Sequence, residues 1–181
     1  MKQFIWNHTV TIFYFAQALV TAILVISLRL DHTFYRVSPL LMALPGVIFF
    51  IPGVQSSKSN FIILSPVIWY GTIISLLSSI SSVPSTGISG NVFHPIEFAA
   101  LSFIMLHSFA RLNEGSPGLR KPIILTLLIC TIFALLDELH QYFIPGRYAD
   151  PFDVLLDITG SIAGIVIYMW FRRLFRTVTN Y

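Results

Sequence analysis

Residues 122–141 read PIILTLLICTIFALLDELHQ. From Pro122 to Leu136 there is no Asp, Glu, Lys or Arg; then Asp137, Glu138, His140 and Gln141 arrive within a few residues of one another. The first part is long enough to cross most of a hydrocarbon layer as a helix, which takes about 20 apolar residues. The second part is what such a helix can carry only where it meets water or a polar interior. That contrast repeats along the chain. Apolar segments cover residues 9–28, 37–54, 61–81, 92–110, 122–139 and 151–171, and none alternates with period two, which argues against a barrel.

Composition agrees. Of 181 residues, 55% are hydrophobic and 10% are charged, with sixteen Phe; the mean hydropathy is +0.79. A soluble domain carries about 25% charged residues to clothe its surface, so lipid must be the main solvent here. The fold expected is an all-α integral membrane bundle of five to six transmembrane helices, one membrane domain over residues 1–181. Net charge is +3, but no basic stripe supports nucleic-acid binding, and basic residues flanking apolar runs are topology signals first. The single Cys130 lies inside an apolar run and forms no intrachain disulfide. Residues 9–28 are too long for a signal-peptide core, and Ser27-Leu28-Arg29 offers no small-residue cleavage site, so they read as a retained helix.

The uncertain segment is 37–54, where Pro39, Pro45 and Pro52 predict a kinked or re-entrant path. If it spans, Lys2, Lys58, Arg111, Arg120, Lys121, Arg172, Arg173 and Arg176 fall on the cytoplasmic side, against Arg29, Arg36 and Arg147 outside. If it does not, the bias is nine to two, so charge counting does not fix the number of spans. Both arrangements place 111–121 and the carboxyl terminus inside and Arg147 outside, in a multi-pass protein of the cytoplasmic membrane.

Seven of the eight carboxylates (Asp31, Glu97, Asp137, Glu138, Asp150, Asp153 and Asp157) then sit on or near the outer side, with Glu114 inside. Helical spacing groups them further. His94 and Glu97 are three apart; Asp137 is three from His140 and four from Gln141. Asp153, Asp157, Gly160 and Gly164 form one stripe, whose glycines allow a neighbouring helix to come close. Ile144-Pro145-Gly146-Arg147 is a turn signal that brings Arg147 toward Asp137, Glu138, Asp150 and Asp153. His107 is expected at the membrane interface beside Arg111. In a translocator, the proline-broken second segment and the Ser-rich third (Ser65, Thr72, Ser75, Ser78, Ser79) would support movement; a Ser/Gly-rich linker, 81–87, follows the third.

Asp137-Glu138-Leu139-His140-Gln141, Pro145-Gly146-Arg147, Asp153 and the spaced glycines resemble the VanZ-like family, named for the teicoplanin-resistance protein. His94-Pro95-Ile96-Glu97-Phe98 resembles that family's earlier His-x-x-Glu-aromatic element. The resemblance is strongest over residues 91–170. Two positions depart from it: Gly90-Asn91 stands where the family has Asp-Lys, and Asp157 where it has Asn. Taken together, a missing lysine and an extra carboxylate make the local site more acidic. The resemblance implies a small polytopic membrane protein of the cell envelope, connected in some members with lowered glycopeptide sensitivity.

The candidate site therefore consists of Glu138, Glu97, His94 and Asp137 for acid–base chemistry, with Arg147, Asp153, Gln141, His140 and Asp157 for ligand binding. The ligand expected is a lipid-linked or cell-wall precursor, or another anionic head group among the membrane lipids, with Arg147 on the anion. An acid–base or metal-assisted hydrolase or transferase, and a purely structural subunit, are the alternatives; whether the chain is an enzyme stays open. No Gly-x-Ser-x-Gly element is present, and Cys130 is expected mid-helix, away from the cluster. No cofactor is expected, because the spacing matches no specific metal motif, although His94, Glu97, Glu138, His140 and Asp153 would be ligands enough for a divalent ion.

Overall fold

The computed structural model describes residues 1–30, 32–80, 93–114 and 118–176. Asp31, the linker 81–87 and Gly90-Asn91 lie outside the described residues. The rest is helix joined by short connections: α1 (Lys2–Asn7), α2 (Thr9–Ser27), α3 (Thr33–Phe50), α4 (Pro52–Gln55), α5 (Asn60–Ser78), α6 (Phe93–Leu112), α7 (Arg120–Tyr142) and α8 (Pro151–Phe175). No strand occurs among the described residues. Six helices (α2, α3, α5, α6, α7 and α8) are long and apolar enough to cross a membrane. Their outward faces confirm the solvent they are built for: Leu135, Leu136 and Leu139 of α7 are each 55% exposed, whereas Asp137, Glu138 and Gln141 beside them are buried. Burying acids while exposing leucines suits hydrocarbon and not water.

The proline-rich segment is helical. It begins at Thr33, earlier than the sequence suggested, with Pro39 and Pro45 inside α3 and Pro52 at the first position of α4. Pro52 donates nothing where the first turn has no acceptor to lose, and interior prolines are tolerated where neighbouring helices shield the freed carbonyls.

The chain divides into two compact units, residues 1–62 with 170–181, and residues 63–169. In the first, α2 and α3 pack together; a Cβ added at Gly46 of α3 would stand 3.4 Å from the Phe15 ring and from the Thr11 carbonyl of α2. At one end of this unit Trp6 stacks on Phe171, their ring centroids 6.3 Å apart, and the Arg176 guanidinium lies 5.9 Å from the Trp6 ring centroid. The start of α2 and the end of α8 thus lie at the same end. An odd number of crossings would separate them, so the contact agrees with six spans and not five.

In the second unit α6 is the central helix. Phe98, Leu101, Ile104, Met105, Leu106, His107 and Ser108 are all buried, so it is enclosed on nearly every side. His107, expected at the interface, instead packs edge-on against Tyr168 of α8, ring centroids 5.9 Å apart. The glycine stripe has the role its spacing predicted. A Cβ at Gly160 would run into the backbone of Pro95, and one at Gly164 into the carbonyl of Ala99 and the Ser102 hydroxyl. Contact at Pro95 and Ala99, four apart, brings α8 against α6 backbone to backbone. His94 and Asp157 are held opposite each other as a result.

Candidate functional site

The polar residues converge where α5 and α7 end and α6 and α8 begin. On α7 the buried positions run Thr126, Cys130, Ala134, Asp137, Glu138 and Gln141, so the acids continue the stripe that the small residues lay down. On α8 the buried stripe is Asp153, Asp157, Gly160, Ser161, Gly164, Ile165 and Tyr168. Between them the chain reverses at Pro145-Gly146. The Arg147 amide donates to the Ile144 carbonyl at 3.1 Å, and Gly146 has φ +84°, the geometry of a type II turn with Pro and Gly in the positions it favours. Asp150 then caps α8, accepting from the Phe152 amide at 2.8 Å, while its own amide donates to Glu138 Oε2 at 2.7 Å. That last bond ties the head of α8 to the end of α7.

Two groups of side chains separate by how completely they are satisfied. In the first, Asp137 Oδ2 accepts from Ser78 Oγ at 3.0 Å and from Gln141 Nε2 at 2.8 Å. Gln141 Oε1 in turn accepts from an Arg147 guanidinium nitrogen at 2.9 Å. This chain runs from α5 through α7 to the turn. In the second group His94 Nδ1 stands 3.2 Å from Asp157 Oδ1, and His94 Nε2 stands 3.8 Å from Asp153 Oδ2. Here three buried oxygens, Glu138 Oε1, Asp153 Oδ1 and Asp157 Oδ2, have no hydrogen-bond partner among the described residues. One ligand atom from each of His94, Glu138 and Asp153 falls within 4.8 Å of the others. An unsatisfied acceptor in a buried site costs roughly 1–3 kcal/mol, and three of them lie in this group.

Most of the residues singled out from the sequence are therefore brought together: His94, Asp137, Glu138, Gln141, Arg147, Asp153 and Asp157 through the contacts above. Glu97 lies half-buried beside them, close enough to feel the charges of His94, Asp137, Asp157 and Arg147. His140 is the exception. It is exposed and pairs with Ser79 at 2.9 Å, outside the group around His94. Arg147 bonds the Gln141 amide and forms no ion pair with a carboxylate among the described residues. Ser78 was read only as part of a serine-rich helix. Its place at the end of its span, level with Asp137, was the available signal.

A family model described as VanZ/LLP1 matches residues 11–172. The chain belongs to the VanZ/LLP1 family. The match runs from α2 almost to the end of α8, well beyond the segment 91–170 whose motifs carried the resemblance. Those motifs supply both groups in this VanZ/LLP1 protein: Asp-Glu-x-x-Gln with Pro-Gly-Arg builds the satisfied chain, and His94 with Glu138 and Asp153 the unsatisfied one. No curated protein and no solved structure matches the chain.

Proposed function

We propose that this VanZ/LLP1 protein binds the anionic head group of an envelope lipid, or of a lipid-linked cell-wall precursor, in the polar pocket between the ends of α6, α7 and α8. The observation that carries this reading is the state of Arg147. Its guanidinium has five N–H donors; it donates to the neutral Gln141 amide and forms no ion pair with a carboxylate among the described residues, so donors remain for a ligand. A planar fork held this way suits a phosphate or carboxylate oxygen. The tally of eight basic residues against three across six spans supports an outward-facing pocket in the cytoplasmic membrane. Through such a ligand the protein would contribute to resistance to teicoplanin-type glycopeptides, as the family resemblance implies. Glu138, with one carboxylate oxygen unpartnered, supports a second reading as a proton-transferring enzyme acting on the same substrate class.

Two measurements separate these readings. Purified full-length protein in nanodiscs is expected to bind a polyprenyl phosphate at least tenfold more tightly than the corresponding polyprenol, since a charge-assisted bond is worth about 1.5–3 kcal/mol. Arg147→Ala should erase that preference. Equal binding of the two lipids by the unaltered protein would overturn the proposal. In a teicoplanin-sensitive host, protection should be lost with Arg147→Ala and kept with Glu138→Gln, which preserves shape and removes the charge. Loss with Glu138→Gln while polyprenyl phosphate binding is retained would favour proton transfer.

A further inference from the structure

We infer that His94, Glu138 and Asp153 form a binding site for one divalent first-row metal ion, which rests on the pocket proposed above and gives it a second means of holding an anionic head group. The argument starts from charge. At this end of the second unit the described carboxylates are Glu97, Asp137, Glu138, Asp150, Asp153 and Asp157, against one guanidinium, Arg147, and the imidazoles of His94 and His140. Asp137 and Asp150 are occupied with hydrogen bonds from Ser78, Gln141 and the α8 amide. Arg147 is turned toward Gln141. What remains is an imidazole facing buried carboxylates whose free oxygens have no donor among the described residues. Within a helical bundle in lipid such oxygens need a proton or a cation.

Geometry favours the cation. Two atoms bound to one ion at about 2.1 Å can stand at most about 4.2 Å apart. His94 Nε2 and Asp153 Oδ2 are already 3.8 Å apart, and the three residues offer ligand atoms within 4.8 Å of one another. Three atoms spread evenly around one ion stand at most about 3.6 Å apart, so side-chain movements of roughly an ångström close the set. Among the described residues Asp153 makes no side-chain hydrogen bond and Glu138 uses only Oε2, on the Asp150 amide; the two are 7% and 6% exposed. Both therefore have oxygens to give.

The imidazole is prepared as a ligand too. His94 Nδ1 faces Asp157 Oδ1 at 3.2 Å. With the proton on Nδ1 donated to this carboxylate, Nε2 presents its lone pair toward Asp153. A carboxylate behind a ligating histidine fixes tautomer and ring orientation, and its loss typically weakens metal binding about 10–100-fold. Asp157, fully buried, is thus a positioning residue. One imidazole with two carboxylates is a mixed set that suits Zn2+ or Mn2+. Three protein ligands leave a coordination position open, which a phosphate oxygen of the head group would fill.

The test uses full-length protein in detergent, stripped with a chelator and titrated with Zn2+ or Mn2+. Elemental analysis after desalting should find about one equivalent of metal, and metal should raise the melting temperature in the manner of any ligand of the folded state. His94→Ala, Glu138→Gln and Asp153→Asn should each weaken binding at least tenfold, and Asp157→Asn, which keeps an acceptor for His94, about tenfold. Glu114→Gln, at the other end of the bundle, should bind as the unaltered protein does. Size-exclusion profiles identify any variant that fails to fold, and the near-isosteric Asp153→Asn and Asp157→Asn keep the test intact if His94→Ala does. Less than a tenth of an equivalent in the unaltered protein, or no weakening in the folded variants, overturns the site. Polyprenyl phosphate binding, measured with and without chelator, is read separately. Lipid bound equally with chelator present overturns the metal's part in holding it and leaves the head-group reading standing; metal bound without any preference for the phosphate lipid does the reverse.

Discussion

Gly164→Leu is expected to prevent assembly of the second unit. At this position even a Cβ would enter the space of the Ala99 carbonyl and the Ser102 hydroxyl, and Leu adds three more carbons. Backbone cannot yield as a side-chain tip can, so α8 must move away from α6. That movement removes the packing of Tyr168 on Phe103 and separates His94 from Asp157. Overpacking a filled core costs typically 1–3 kcal/mol, occasionally more, and with rigid backbone on both sides the cost should exceed about 3 kcal/mol. Monodispersity and thermal aggregation in detergent measure it. Gly71→Ala is the informative comparison. Its Cβ would meet the Phe133 ring at 3.8 Å, an ordinary contact, and alanine gains up to about 1 kcal/mol over glycine within a helix. A Gly164→Leu protein as monodisperse and heat-stable as Gly71→Ala would refute the close α6–α8 contact.

Asp137→Leu should have the second largest effect. The substitution leaves Ser78 Oγ and Gln141 Nε2 without their buried acceptor and frees the amide that steadies Arg147. Interhelical hydrogen bonds in membranes average only about 0.6 kcal/mol, but stranded donors add a penalty of roughly 1 kcal/mol or more each. A loss of about 2 kcal/mol follows, or about 4–8 °C in melting temperature for a chain of this size. The phosphate preference in lipid binding should fall with it, because Arg147 loses its anchor. Asp137→Asn keeps one acceptor oxygen and should lie between. Were Asp137→Leu to melt with the unaltered protein while retaining the phosphate preference, the chain from Ser78 to Arg147 would have no structural part to play.

The two variants probe different kinds of legibility. Gly160, Gly164, Asp153 and Asp157 could be grouped from spacing alone, since one helix face is a matter of period and all four are buried together. His140 could not be placed so easily. Taking about 100° per residue, Glu138 lies 100° and Gln141 40° to one side of Asp137, and all three are buried. His140 lies about 60° to the other side, which takes it out of the buried sector to Ser79. Sharing a face at three residues is thus true of neighbours and not of which neighbour points inward. Asp31 and the departure at Gly90-Asn91 lie outside the described residues.

The order of residues by itself determined that the chain lives in lipid, where its long apolar segments lie, and that acids, imidazoles and a guanidinium crowd toward one end of the last three, because hydropathy and helical period act locally. Tertiary structure alone decided that the proline-bearing segment continues as a helix, that Arg147 turns to an amide instead of an acid, and that the carboxylates divide into satisfied and unsatisfied groups. Those outcomes depend on which donors from other helices come within about 3 Å, and the distance between two helices is set by every side chain packed between them.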